Sequence, residues 1–140
     1  MNKDNKHSYE ALLTVPFHDL DPAQIVWHGN YFKYFDIARA GLFDSLGLDL
    51  YSFSKRTQYI FPIIRTSTKH IFPLKHRDEF ICKASIVEVN IKIIIDFEIR
   101  LAADHKICAR SRSEQVALKT PEMDLLLRIP EEIRNSLLRQ

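Results

Sequence analysis

Apolar and polar residues alternate most regularly from Ile91 to Leu101. Ile91, Ile93, Ile95, Phe97, Ile99 and Leu101 share one face, with Lys92, Asp96, Glu98 and Arg100 among the others. A period of two marks a half-buried β-strand. Asp78–Val89 before it and Ile107–Lys119 after it also read as extended chain, and Ala103-Asp104-His105-Lys106 is the turn joining the last two. Three long strands with short connections make an antiparallel meander, which Pro121 ends. Upstream, Tyr59–Ile71 is extended, with Pro62 near its start and Pro73 ending it. Residues 10–18 (EALLTVPFH) form a first strand whose end Pro16 makes irregular.

Between Asn30 and Leu46 the period lengthens to that of a helix. Tyr31, Phe35, Ala38, Leu42, Phe43 and Leu46 fall on one broad face, with Lys33, Asp36, Ala40 and Asp44 opposite. Gly47 closes the helix as its C′ residue, and the span is about 25 Å. An apolar arc this wide exceeds that of a surface helix, so a curved sheet is expected to wrap it. Arg39 lies inside the arc. It either snorkels out or pairs with Asp36, or it orders a nearby turn by hydrogen bonding. Ile129-Pro130-Glu131-Glu132 starts a short C-terminal helix. The order predicts an α+β fold, an antiparallel sheet of about five strands around one long helix, as a single domain over residues 1–140.

Composition adds little that is specific. With 46% hydrophobic residues and a net charge of +2 over 140 residues, the chain is that of an ordinary globular protein. The start is polar and no apolar run is long enough for a membrane span, so a cytoplasmic protein is expected. Cys82 and Cys108 fall within strands and read as reduced, structural thiols. The charge is uneven: 13 Lys/Arg against 7 Asp/Glu over residues 50–120 make that stretch +6. Such a middle suits an anionic partner or a solvated sheet edge equally.

The most specific chemistry lies in Phe17–Leu46. Asp21 sits on an Asp-Pro turn, and seven residues later His28-Gly29 opens the long helix. Asp21 is too far ahead of the helical pattern to be its N-cap. It instead faces a helix start, whose unpaired N–H groups can receive a developing oxyanion. A carboxylate facing such donors is the minimum equipment for hydrolysing an activated acyl group. The six histidines, His7, His18, His28, His70, His76 and His105, show no ligand-like pairing, so no metal and no cofactor are expected. No Gly-x-Ser-x-Gly elbow is present either.

Asp19-Leu20-Asp21-Pro22-Ala23-Gln24-Ile25-Val26-Trp27-His28-Gly29-Asn30-Tyr31, continuing through Tyr34-Phe35 to Ala38-Arg39, resembles the hotdog-fold acyl-CoA thioesterases of the 4-hydroxybenzoyl-CoA thioesterase family. Pro62-Ile63-Ile64-Arg65, Phe72-Pro73 before Asp78-Glu79, and Arg128–Arg134 are similar to later parts of that family. The resemblance implies Asp21 as catalytic carboxylate, either nucleophile or general base. It implies the backbone N–H at or next to His28 as donor to the thioester oxygen, with the imidazole at the mouth. Gly29, Asn30 and Tyr31 are expected to line the pocket. Gln24 stands where a glycine is common and either tightens the turn or reaches into the site. His28-Gly29 resembles the general acyl-CoA branch, so 4-hydroxybenzoyl-CoA is not carried over as substrate. It further implies a homodimer or homotetramer with the active site at a subunit boundary.

The predicted substrate is an acyl-CoA or an acyl carrier protein thioester. Lys69, Lys75 and Arg77, flanking one turn with His76, are expected to grip coenzyme A phosphates, or else form a solvated loop. His70-Ile71-Phe72-Pro73 lacks the Pro-Gly closure of the motif it resembles in acyl-carrier dehydratases, so His70 is given no role. Two rivals are a non-catalytic acyl-thioester-binding protein, in which Asp21 is structural, and a nucleic-acid-binding domain. No binding motif supports the second, so no nucleic-acid partner is expected.

Overall fold

The computed structural model describes residues 7–138, so the polar start read above lies largely outside the described residues. Strand β1 (Ser8–Thr14) leads through an irregular turn to helix α1 (Tyr31–Ser45). Then follow helix α2 (Leu50–Thr57), strands β2 (Tyr59–Ile60), β3 (Ile63–His70), β4 (Glu79–Glu88), β5 (Ile93–Leu101), β6 (Ile107–Gln115), β7 (Leu118–Lys119) and β8 (Asp124–Leu125), and helix α3 (Glu131–Leu137). Five strands form an antiparallel sheet in the order β1-β4-β5-β6-β3, while β2, β7 and β8 form a small second sheet.

The sheet curls around α1 because its inner face and the helix arc are both apolar. Ile93, Ile95, Phe97 and Ile99 turn inward with Phe80, Cys82 and Ala84 of β4. Against them α1 lays Tyr34, Phe35, Ala38, Leu42 and Phe43, with the Phe35 and Phe97 rings 5.0 Å apart and Tyr34 and Phe80 4.9 Å apart. Each of the Phe, Ile and Leu side chains among them contributes roughly 1.5–3 kcal/mol on leaving water. Gly41, in the middle of α1, lets Tyr9 of β1 onto the helix: a Cβ there would lie 2.2 Å from that ring. Past the helix end Gly47 takes φ 70°, as a C′ glycine should.

Four elements differ from the sequence reading. Helix α2 was not expected; Asp49 caps it by accepting the Ser52 N–H at 3.1 Å, yet only Phe53 of its eight residues is buried, too few for a period. The extended stretch Tyr59–Ile71 breaks at Phe61-Pro62, so that Tyr59–Ile60 pairs with β7 rather than with the main sheet. The last strand breaks likewise at Val116-Ala117. Ile91 lies outside β5 and is 56% exposed. Between the two readings of Arg39 the structure selects pairing: it bonds Asp36 through Nη1 and donates from Nη2 to Ser113 Oγ at 2.7 Å. Cys82 and Cys108 are buried free thiols, pushed up by burial to about 12 and about 11.

Candidate functional site

The Asp-Pro turn is a tight hairpin. Leu20 and Val26 bridge antiparallel, the Asp21 N–H donates to Ile25 O at 2.9 Å, and the Gln24 N–H donates back to Asp21 O at 2.8 Å. Pro22 presets the second position, and Gln24 takes φ 68°, in the left-handed region that glycine enters freely. The glycine common at this position thus has a backbone reason, and the Gln24 side chain stays exposed at the corner. Of the Asp21 carboxylate, Oδ1 accepts the Ala23 N–H at 2.8 Å. This fixes the side chain and leaves Oδ2 open.

Opposite the turn, His28–Asn30 forms a 3₁₀ turn that runs straight into α1. The N–H groups of Trp27 and Asn30 are taken, by Asp19 O at 3.0 Å and Trp27 O at 2.9 Å. Those of His28 and Gly29 enter no such bond among the described residues and stand at the positive end of a 15-residue helix. Gly29 is needed for closeness, since a Cβ would lie 2.3 Å from the Trp27 ring folded over it. A cavity of ≈ 290 Å³ opens here, lined by Asp21, Ile25, Val26, His28, Tyr31, His70, Ile71, Phe72 and Pro73. Its wall is apolar, as an acyl group requires, with polar groups at few points.

Of the residues expected from the sequence, Asp21, His28 and Tyr31 meet in this cavity, with Gly29 behind them. Asn30 turns its side chain away, donating from Nδ2 to Asp19 O at 2.9 Å, and so pins the turn to the helix. The basic group does not converge. Strand alternation turns His70 into the cavity and Lys69 to the other face, where Lys69 lines a separate groove with Ser67, Lys83 and Arg110. Lys75 and Arg77 remain on the β3–β4 loop, exposed, with Lys75 bridged to Ile25 of the cavity wall.

Two residues of the site were missed. His70 stacks edge-on to Tyr31 at 4.6 Å, with the His28 ring 6.4 Å away. Partial burial, and then the nearby His28, lower its pKa and so favour the neutral ring. Its phase with Thr66 and Thr68 along β3 was the signal that it faces inward. Asp19 is 2% exposed and accepts from Lys33 Nζ and Tyr34 Oη, each at 2.6 Å. Nothing in the sequence marks which aspartate of Asp19-Leu20-Asp21 is buried. Part of the basic middle is engaged in ion pairs, among them Arg112–Asp96, Lys92–Glu114 and Arg100–Glu10.

Comparison with known proteins bears on the same region. A sequence profile of the thioesterase-like superfamily matches residues 15–137. No curated protein sequence matches the chain. Among solved structures, a 1,4-dihydroxy-2-naphthoyl-CoA thioesterase from Synechocystis superposes with a TM-score of 0.85 at 18% identity, covering 93% of this chain and 95% of its own. A 4-hydroxybenzoyl-CoA thioesterase mutant, in complex with 4-hydroxybenzoyl-CoA, gives 0.83 at 17%, covering 94% and 99%. A gentisyl-coenzyme A thioesterase gives 0.77 at 22%, covering 91% and 98%. At such identities the likeness is one of fold, and the fold is the hotdog, a sheet wrapped around one long helix. With the profile running from the end of β1 to the end of α3 over a chain folded in this way, this protein belongs to the thioesterase-like superfamily.

Proposed function

We propose that the protein hydrolyses an acyl thioester of coenzyme A, or of an acyl carrier protein, to the free acid and thiol, with water as the only co-reactant. The observation that carries this reading is that Asp21, with one carboxylate oxygen unbonded, and His28 line one apolar cavity, while the N–H groups of His28 and Gly29 enter no bond among the described residues. The hotdog relatives act on coenzyme A thioesters, and a 12:0-ACP thioesterase from Umbellularia californica shares the fold at a TM-score of 0.84.

The acyl carbonyl sits with its oxygen toward the two N–H groups. Attack at carbon moves negative charge onto that oxygen just where the donors and the helix end stabilise it; one such donor contributes about 10²–10³ in rate. Asp21 either attacks directly, giving an anhydride that water cleaves, or removes a proton from the attacking water. The thiolate departs and takes a proton, from the Asp21 carboxyl in the general-base route and from solvent water in the other. Single turnover in ¹⁸O-water tests for direct attack: water adding to the Asp21 carbonyl carbon of the anhydride leaves ¹⁸O in the enzyme's carboxyl, which general-base catalysis never does. A panel of acyl-CoA thioesters read with a thiol-reactive dye tests the reading as a whole. Release from none of them would reject it in favour of a non-catalytic acyl binder.

Lys75 and Arg77 are the proposed phosphate contacts, and Lys69 no longer belongs to the set. Lys75→Gln with Arg77→Gln should raise KM several-fold and leave kcat, as uniform binding does. An acyl-N-acetylcysteamine, which lacks the nucleotide, should show no such change. Loss on both substrates alike would make the loop structural. The β3 edge is unpaired, with Ile63 and Ile64 42% and 53% exposed, and it suits pairing with a second copy about a two-fold axis. An active monomer in light scattering at micromolar concentration would refute the dimer. The free thiols fit a reducing compartment, the cytoplasm; no helix among the described residues is long and apolar enough to cross a membrane.

A further inference from the structure

The inner face of the sheet changes character across its width. Under β4 and β5 it is filled by Phe80, Ile93, Ile95 and Ile99, all fully buried. At the β6–β3 end the same face carries short side chains instead, Thr66 opposite Ser113 and Thr68 opposite Ser111, before His70 opposite Ala109. Such side chains cannot fill the gap beneath α1. A second cavity of ≈ 170 Å³ remains there, with Phe32, Phe35, Ile63 and Phe97 as its apolar wall and Arg39, Asp36, Thr66, Ser111 and Ser113 as its polar members.

Arg39 makes this more than a packing fault. Its side chain is 10% exposed and lies over the Phe97 ring at 5.1 Å. Nη1 is held by Asp36 and Nη2 by Ser113, but the buried Nε–H has no partner. A buried donor left unsatisfied is costly and asks for an acceptor. The Asp36 carboxylate already balances the guanidinium charge, so that acceptor need not be an anion.

Ser111 lines this cavity and bonds Thr68 at 2.8 Å, and Thr68 stands midway along β3 between Thr66 here and His70 of the cavity at Asp21. Thr66 in one cavity and His70 in the other are four residues apart on β3, about 13 Å. An extended chain advances roughly 1.2 Å per bond, a third of the ~3.6 Å per residue of a stretched peptide, so about ten bonds cover that distance.

From this the geometry points to a distal subsite for an uncharged oxygen, a hydroxyl or carbonyl carried near the far end of a medium-length acyl chain, with the Arg39 Nε–H as its donor. The inference rests on the proposed thioester hydrolysis and names the acyl class that site would take. An ω-hydroxyl accepts from Nε and can donate in turn to a Ser113 or Thr66 oxygen. A plain methyl end leaves the donor unpaired, and an ω-carboxylate adds a charge beside Asp36.

The test compares kcat/KM for decanoyl-CoA, ω-hydroxydecanoyl-CoA and its ω-carboxy analogue in the wild type, Arg39→Met, Arg39→Lys and Ser113→Ala. The wild type should prefer the ω-hydroxy substrate over both others by at least about tenfold, since a site built to hydrogen-bond rejects analogues that cannot. Arg39→Met should bring the hydroxy-to-plain ratio to about one. Arg39→Lys should do the same, because lysine keeps the charge but not the fork. Ser113→Ala, a milder change, should reduce the ratio in the same direction. Equal rates of the wild type on hydroxy and plain substrates would overturn the inference. So would a ratio untouched in Arg39→Met while light scattering shows altered assembly, which would make the guanidinium a subunit contact. If the wild type cleaves no thioester, the hydrolytic reading fails by itself, and titration calorimetry with free ω-hydroxydecanoic and decanoic acids decides the subsite. Preference for the hydroxy acid, lost in Arg39→Met, supports it, and equal affinity overturns it.

Discussion

Asp19 and Asp21 stand two residues apart on one turn and have opposite surroundings. The floor of the turn, around Asp19, is closed: its carboxylate is held by Lys33 and Tyr34, and its carbonyl by the Trp27 N–H and the Asn30 side chain. The mouth, around Asp21, is open, with one oxygen tied to Ala23 and the other facing the cavity. A carboxylate saturated with donors is a structural clamp, because its lone pairs are already used. One held by a single bond is oriented yet free to act. The clamp fastens the turn to the first two turns of α1, and that fastening sets the distance between Asp21 and the His28–Gly29 donors. Fold energy is thus concentrated at the floor, and the proposed chemistry at the mouth.

The largest effect should follow from breaking the mouth. Asp21→Asn keeps shape and the Ala23 bond but removes the charge, and turnover should fall by about 10²–10⁴-fold. Substrate affinity and Tm should scarcely move, since this side chain supports little else. Near-normal turnover in a steady-state assay would reject Asp21 as the reacting group.

Breaking the floor should do the reverse. Asp19→Asn removes a charge that two donors share inside the protein. The loss is about 2 kcal/mol, at the modest end for charged hydrogen bonds because Lys33 is half exposed and its share is screened. For a chain of this length that lowers Tm by about 6–8 °C. Kinetically, the variant should lose only what a loosened turn loses, far less than Asp21→Asn. The pH dependence has a definite sign. Burial would raise the Asp19 pKa, but the hydrogen bonds from Lys33 and Tyr34 outweigh it and hold the pKa below the ordinary carboxylate value. Its stabilisation is therefore complete above the unfolded pKa of about 3.9 and is lost as pH falls through the lower folded value. The Tm gap between wild type and variant should accordingly be widest near neutrality and close in acid.

How much of this was legible follows from where the information resides. The long helix and the β4–β5–β6 meander were readable because one face of each is buried over many residues, as in Tyr31–Phe43 and Ile93–Ile99. Helix α2 and the small β2-β7-β8 sheet were not, since elements of two to eight residues with at most one fully buried apolar side chain carry no period. Asp21 is marked as the candidate carboxylate by the Asp-Pro pair and the resemblance it carries, and its role remains the proposal tested above. Asp19 could not be singled out, because burial of a carboxylate depends on Lys33 and Tyr34, fourteen and fifteen residues away in sequence and brought near by the helix. Lys69 was grouped with Lys75 and Arg77 by adjacency alone. Two-residue alternation through His70 places it on the opposite face.

The smallest effect sharpens the comparison most. Tyr34→Phe deletes the hydroxyl that donates to Asp19 Oδ2 and keeps the ring packed on Phe80. The Tyr34 hydroxyl is itself pushed well above the usual tyrosine range by burial and by that bond, so it serves as a permanent donor at any working pH. Its removal should lower stability by about 1 kcal/mol, or about 3–4 °C in Tm. Asp19, with one donor fewer, should protonate at a higher pH, so acid unfolding should begin earlier than in the wild type. Combined with Asp19→Asn the two losses should fall short of their sum, since they remove one shared bond. Turnover at neutral pH should stay within about twofold, because Lys33 and the bonds to the Asp19 carbonyl from the Trp27 N–H and the Asn30 side chain still hold the turn. A drop in kcat approaching that of Asp21→Asn, with Tm unchanged, would mean that the buried carboxylate takes part in the chemistry and that floor and mouth are not separate.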